Sequence, residues 1–379
     1  MKNNRRNFIK KSTALAATAS IMGMHTGISG IPKKLSVSAV TDLAKDGGME
    51  FSLAMWSGVD SPRITLAKQM GVFGAVGGVR GSTDVKPWEP KAILATKEAW
   101  DKVGMRWNVV EGPPTLGDKT KLGLDGRDEE IGNFITFMKN LKQYGGVDII
   151  CYNWMPVISW FRTKMDTVGR GGALMTSFDN EDAKKLPLTK YGEVSKDMLW
   201  KNLEYFLKAV VPEAEKIGMN LSLHPDDPQV DSIRGISRIM TSVENFDRML
   251  NLVPSKFNGL TMCQGNFSLM GVDIPSLVRR WGKDGKINYV HFRNVQELSG
   301  QIPSTRFVET FHDEGQIDMH AAMKAYYDIG YKGPIRPDHV PTMDGDTNDH
   351  PGYSTIGTLF AIGYMRGLME SIQKSATKA

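Results

Sequence analysis

Two hydrophobic periods alternate along most of this chain. Short apolar runs rich in β-branched and aromatic residues recur at 51–56, 72–78, 106–111, 148–153, 220–224, 259–264, 287–293 and 333–338. Such runs, bounded by Gly, Asn, Asp and Pro, read as strands. Between them lie segments with apolar residues three and four apart, at 61–70, 91–103, 129–144, 196–217, 243–252, 274–281, 319–329 and 355–371. In 196–217, Leu199, Leu203, Phe206, Leu207 and Val210 fall on one face of a helix. Ser61-Pro62 is a helix entry, and Gly71, Gly104, Gly218 and Gly330 stand where helices commonly end. Eight strand–helix units in about 320 residues predict a (β/α)8 TIM barrel, one catalytic domain over 49–375. An open doubly wound sheet would more often carry a glycine-rich phosphate loop after its first strand, and none follows Trp56. Long connections at 162–195, 294–318 and 339–353 interrupt the pattern. The first, with Gly169-Arg170-Gly171-Gly172, is expected to pass over the barrel mouth as a polar excursion.

Composition narrows the class. With 41% hydrophobic and 23% charged residues the chain is ordinary globular material, and two cysteines provide no disulfide framework. No apolar run reaches the ~18 residues of a membrane span. The net charge of +5 comes from 47 basic and 42 acidic residues. Lys2, Arg5, Arg6, Lys10 and Lys11 lie in the first 30 residues, which hold no acidic residue; removing those five leaves 42 against 42. The remainder has no basic excess, so nucleic acid is not an expected partner. Arg5-Arg6-Asn7-Phe8-Ile9-Lys10-Lys11, followed by a small-residue apolar stretch from Ser12 to Ser29, resembles a twin-arginine export signal. The expectation is a signal peptide over 1–30, a linker over 31–48, and a periplasmic or otherwise exported protein with no membrane association after export. Twin-arginine export carries folded proteins.

In a TIM barrel the active site lies at the C-terminal ends of the strands. Four consecutive candidate strands end in His224-Pro225-Asp226-Asp227-Pro228, Met262-Cys263-Gln264-Gly265, His291-Phe292-Arg293-Asn294 and Arg336-Pro337-Asp338-His339. Each residue has an ordinary reading alone: a hydrogen-bonded histidine, a small buried thiol, Asp226 and Asp227 as turn residues between prolines. Two imidazoles, a thiol and a carboxylate on adjacent strands point instead to a divalent metal, with Mn²⁺, Fe²⁺, Co²⁺ and Zn²⁺ all admissible. Glu111, Tyr152, Asn153, Arg162, Arg293 and Tyr353 are expected at the same rim. Guanidinium groups there suit an anionic substrate such as a sugar acid, and His339, next to Asp338, is placed to act as acid or base. Arg336 is expected in a buried ion pair, and His312 and His320 at the surface or capping a helix. Trp56, Trp154 and Trp160 could floor a sugar site or serve the core.

The stretches Cys151-Tyr152-Asn153-Trp154-Met155-Pro156 with Trp160 and Arg162, His224 to Pro228, Gly259 to Gly265, His291-Phe292-Arg293, Phe311-His312, Arg336 to His339 and Pro351-Gly352-Tyr353-Ser354 resemble the mannonate dehydratase family from about Phe51 onward. The resemblance implies a metal, usually Mn²⁺, held by His224, Cys263, His291 and Asp338. It implies acid–base roles for His339 and Tyr353, dehydration of D-mannonate to 2-keto-3-deoxy-D-gluconate, and a homodimer. Where the family typically carries paired histidines after the second strand, this chain reads Gly77-Gly78-Val79-Arg80-Gly81. The residues themselves leave two catalytic alternatives, a lyase and a metal-dependent sugar isomerase or epimerase. A non-catalytic sugar-binding protein would not need the His339–Tyr353 pair.

Overall fold

The computed structural model describes residues 47–376. Eight parallel strands close into a barrel: β1 (Glu50–Ala54), β2 (Gly74–Val76), β3 (Arg106–Glu111), β4 (Ile149–Asn153), β5 (Asn220–His224), β6 (Asn258–Cys263), β7 (Ile287–His291) and β8 (Pro334–Arg336). Each neighbours the next in sequence, and β8 pairs with β1 through Glu50↔Pro334 and Phe51↔Ile335. The predicted TIM barrel is therefore observed. The first, second and last strands are shorter than their apolar runs. At β2 pairing begins only at Gly74, where the backbone passes so close to Ser52 and Asn108 that a Cβ would collide with both side chains.

Most of the apolar material lies between barrel and helices. The helix Lys196–Ile217 starts at Ser195, whose hydroxyl accepts from Met198 N at 3.2 Å, and ends at Gly218 with φ 70°. Its inner face buries Leu199, Leu203, Phe206, Leu207 and Val210. Phe206 meets Phe134 at 5.1 Å and Trp154 at 5.4 Å between ring centroids; burying such a ring contributes about 1.5–3 kcal/mol. Trp154 is therefore core, not a sugar floor. Inside the barrel, Val76, Val109, Ile149, Cys151 and Tyr289 pack together. The helix expected over 129–144 runs from Arg127 to Asn140 and closes with one π turn, Leu141–Gly145. Among the described residues no helix is long and apolar enough to cross a membrane.

The long connections build structure that local periodicity did not predict. Lys164–Val168, Leu174–Asp179, Arg306–Glu309 and Val295–Glu297 form a four-stranded antiparallel sheet. It has a small core of its own, in which Phe178 and Phe307 lie 5.8 Å apart. The loop after β8 is tied to this sheet by paired hydrogen bonds between Leu174 and Thr342, at 2.8 and 2.9 Å. The proposed leader and linker lie almost wholly outside the described residues.

Candidate active site at the barrel rim

Register explains why the rim residues converge. Asn153 pairs with His224, Cys263 with His291, and His291 with Arg336, so these strand ends lie level. His224 Nε2 and His291 Nδ1 face each other at 3.1 Å. Asp338 Oδ2 lies 3.6 Å from His291 Nδ1 and 3.7 Å from Cys263 Sγ. The donor atoms of His224, Cys263 and His291 all lie within 4.8 Å of one another. Two imidazole nitrogens, a thiol and a carboxylate oxygen turned toward one point, with Cys263, His291 and Asp338 buried, are a donor set that fits a divalent cation.

Asp338 reaches this point through an uncommon backbone. Its φ is 65°, in the left-handed region where a non-glycine residue is strained and where Asp is among the more tolerant types. Just before this turn, the Pro337 carbonyl accepts a hydrogen bond from His312 Nε2 at 2.9 Å. His312 is thus fully buried beneath the site, correcting the surface or capping role expected for it; His320 is exposed. Burial pushes the Asp338 carboxyl up, but the Arg336 guanidinium at 2.7 Å leads the charges that hold it well below the usual carboxylate range. Arg336 also reaches Glu111 at 2.9 Å, so the expected buried ion pair is present. Glu111 Oε2 lies 3.5 Å from His291 Nε2, on the side of the ring opposite the donor cluster, where a carboxylate orients a ligating histidine. Burial raises the Glu111 pKa, yet Arg336 and His291 bring it to about 2.

A cavity of about 100 Å³ opens above the cluster. His339 and Tyr353 line it, with His339 Nε2 3.0 Å from the Tyr353 hydroxyl. Trp160 packs on the His339 ring at 5.3 Å. Burial is the largest influence on both groups. With Arg293 and Arg162 nearby it depresses His339 to about 3, so the imidazole is neutral, and it raises the Tyr353 phenol, which stays protonated. Asn153 lines the cavity and accepts from the buried Lys121 ammonium at 3.0 Å. Burial lowers Lys121 to about 8 despite Asp118 and Asp226.

Two expected substrate contacts are placed differently, and a third, Tyr152, borders the cavity. The Tyr152 ring packs on Phe206 at 5.8 Å between ring centroids, while the residue still forms part of the cavity lining. Arg162 and Arg293 do not line the cavity; they are buried in a charge network beside it. Arg162 reaches Asp227 at 2.6 Å and Glu309 at 2.7 Å. Arg293 reaches Asp227 at 2.9 Å, Asn266 at 2.6 Å, Asp338 at 3.2 Å and also Glu309. Their charges are balanced by protein carboxylates, leaving no free fork for a substrate anion. Asp227 is accordingly more than a turn residue. Burial raises its pKa, but Arg162 and Arg293 hold it far below the ordinary range.

Glu309 was not singled out by sequence. It stands on the sheet over the mouth, where Thr176 also donates to it, and its Oε1 lies 2.7 Å from His339 Nδ1. Arg293 Nη1 approaches the same nitrogen at 2.7 Å. Since Arg293 has carboxylate and amide acceptors of its own, the hydrogen is assigned to Nδ1, donated to Glu309; Nε2 then accepts from Tyr353. One sequence signal existed: in Arg306-Phe307-Val308-Glu309 the acid stands two residues after a phenylalanine, on the same face of the strand.

Barrel and rim together define a TIM-barrel enzyme whose reaction moves protons beside a cluster able to hold a cation. The family is more specific: the D-mannonate dehydratase (UxuA) family model matches residues 49–190 and 182–379, and the chain belongs to that family. It is 34% identical over 357 residues to the mannonate dehydratase of Streptococcus uberis, covering 86% of this chain and 100% of that one. With mannonate dehydratase 2 of Halalkalibacterium halodurans it shares 31% over 352 residues, 86% of this chain and 99% of the relative. The crystal structure of mannonate dehydratase from Streptococcus suis serotype 2 superposes with a TM-score of 0.76 at 30% identity, covering 87% and 95% of the two chains. A D-tagatose 3-epimerase-like protein, 14% identical with a TM-score of 0.57 over 86% of this chain and 100% of its own, shares the fold.

Proposed function

We propose that this protein is a metal-dependent hydro-lyase that dehydrates a sugar acid, most simply D-mannonate to 2-keto-3-deoxy-D-gluconate. The observation that carries this reading is the His339–Tyr353 pair, in hydrogen-bond contact and lining the cavity above the donor cluster. His224, Cys263, His291 and Asp338 would hold the metal, with Mn²⁺ the expected ion and Fe²⁺, Co²⁺ or Zn²⁺ the alternatives. When bound, a divalent cation supplies Lewis-acid polarisation of substrate oxygens that gain charge.

The chain's own groups account for the proton movements. Neutral His339 takes the C2 proton of the acid on Nε2. As the C3–O bond breaks, protonated Tyr353 gives its phenolic proton to the departing hydroxyl, and water leaves. The imidazolium then returns a proton to the phenolate across their hydrogen bond, and the enol product tautomerises with a proton from solvent entering C3. Neither residue is altered overall, and the substrate has lost H₂O. Glu309 holds His339 in the tautomer this sequence requires. The same contact in an isomerase would move a proton without loss of water, and membership of the dehydratase family favours elimination. Export through the leader, with Arg5-Arg6 as its recognition pair, and a homodimer belong to the same proposal.

The test uses metal-reconstituted mature protein, D-mannonate and a panel of hexonates, followed by formation of a keto-deoxy acid in D₂O. Deuterium at C3 of a dehydrated product supports the lyase. Deuterium at the carbon that lost its proton, with no water lost, identifies an isomerase or epimerase. His339→Asn and Tyr353→Phe should each lower kcat about 10²–10⁴-fold with normal metal content; wild-type turnover in both would remove the pair from catalysis.

A further inference from the structure

The catalytic cavity leaves one sector of the rim unused. Its lining comes from β3, β4, β5, β7, β8 and the segments after them, with no residue from β1 or β2 or their following loops. Over β1 and β2 the top of the barrel opens into a second cavity of about 450 Å³, within the range of small-molecule sites. Trp56 and Asp60 line it from the loop after β1, Gly78 and Arg80 from the loop after β2, and Lys91 and Ala95 from the helix Pro90–Val103.

Trp56 lines this cavity and contacts two residues that line the catalytic one, Tyr353 and Arg336. Its indole packs edge-on against Tyr353 with centroids 5.8 Å apart, and the Arg336 guanidinium lies 5.8 Å from the same ring. Even so the indole is 40% exposed, a large apolar surface left to solvent beside a reactive centre. Arg80 Nη2 donates to the Trp56 carbonyl at 2.9 Å, tying the loop after β2 to the loop after β1. Gly78 has no positive φ, and a Cβ there would meet nothing within 4 Å. Neither backbone nor packing requires glycine at this point, and its effect is to leave room.

We propose that the second cavity is a subsite for a sugar ring joined to the acid, so that the preferred substrate is a glycosyl-substituted hexonate rather than the free one. An exposed indole offers an apolar platform for the C–H face of a pyranose, and Asp60, Arg80 and Lys91 offer charged edges for its hydroxyls. The Trp56–Tyr353 contact sets the two cavities side by side and so sets the order: acid over the donor cluster, ring over β1 and β2. This inference rests on the dehydratase reading.

The experiment compares D-mannonate with D-mannonate carrying a hexosyl group at its far hydroxyls, using metal-reconstituted mature protein. The glycosylated acid should show kcat/KM about tenfold or more higher, equivalent to ~1.4 kcal/mol. Gly78→Gln and Ala95→Phe, which fill the cavity from different elements, should bring the ratio of the two kcat/KM values to about one. Thermal melting checks that both variants fold. Equal kcat/KM for the two acids in the wild type, with mannonate dehydrated, overturns the subsite and leaves the dehydratase reading standing. If neither acid yields product, the dehydratase reading falls, and calorimetric titration with the same acids still decides the subsite. Tighter binding of the glycosylated acid, lost in Gly78→Gln, supports it, and equal binding overturns it.

Discussion

Replacing Glu309 by glutamine keeps shape and removes one charge from a buried network. Arg162, Arg293 and His339 all converge on the Glu309 carboxylate. In Glu309→Gln the two guanidiniums keep Asp227, and Arg293 keeps Asp338, but the contact of Arg162 and Arg293 with Oε1 loses its charge. Breaking a buried ion pair from one side typically costs about 3–5 kcal/mol. For the roughly 330 described residues the unfolding entropy is about 0.7 kcal/mol/K, so Tm should fall by about 4–7 °C. Catalysis should suffer more. A glutamine amide can donate to Nδ1, which favours the tautomer with hydrogen on Nε2, facing Tyr353 and unable to accept the substrate proton. A wrong tautomer behind an otherwise intact histidine lowers kcat by up to about 10⁴ in the comparable serine-protease case, and a fall of about 10²–10⁴ is expected here. KM and metal content should change little, because Glu309 touches neither the cavity nor the donor cluster. The assay is keto-deoxy acid formation, with calorimetric melting and elemental analysis on the same preparation. A variant with wild-type kcat and a lowered Tm would show that Glu309 serves the network alone and does not position His339.

Three further outcomes follow from the geometry. Cys263→Ala should lose most bound metal by elemental analysis while the barrel persists by circular dichroism; full occupancy would take the thiol out of the donor set. Lys121 has a folded pKa of about 8, below its ordinary 10.5. Its burial therefore opposes folding fully below pH 8, and unfolding free energy should rise by about 3 kcal/mol between pH 8 and 10.5. Lys121→Met should remove that rise, and parallel pH curves for the two proteins would refute the assignment. Arg5→Lys with Arg6→Lys should leave precursor in the cytoplasm on fractionation, whereas normal export would reduce the pair to part of a general basic leader.

The barrel was legible because each strand–helix unit is written locally: an apolar run, a helical face, a glycine such as Gly104 or Gly218 at the end. The convergence of His224, Cys263, His291 and Asp338 followed because strand ends in a parallel barrel share one rim. What escaped was non-local. The partners of Arg162 and Arg293 come from segments far apart in sequence, so two guanidiniums expected to face substrate proved to be satisfied by Asp227 and Glu309. The sheet over the mouth is built from strands of three to six residues, too short for a periodic signal, and its two halves are joined by a pairing about 127 residues apart. Tyr152 is divided between two surroundings: it borders the cavity with Cys151 and Asn153, and alternation turns its ring toward Phe206.

The same sheet fixes when the enzyme becomes competent during folding. Asp179 pairs with Arg306, a contact closing a loop of about 127 residues, and the barrel itself closes through Glu50 and Pro334, 284 residues apart. Contacts of such long separation form late, because the chain must first lose the entropy of the enclosed loop. Glu309 is carried by this sheet, so His339 gains its hydrogen-bond partner only once both long-range closures, of sheet and of barrel, are made. Backbone signals should return before activity in refolding, and a chain with a complete barrel but an undocked cover would already hold its metal donors yet be inert toward sugar acids.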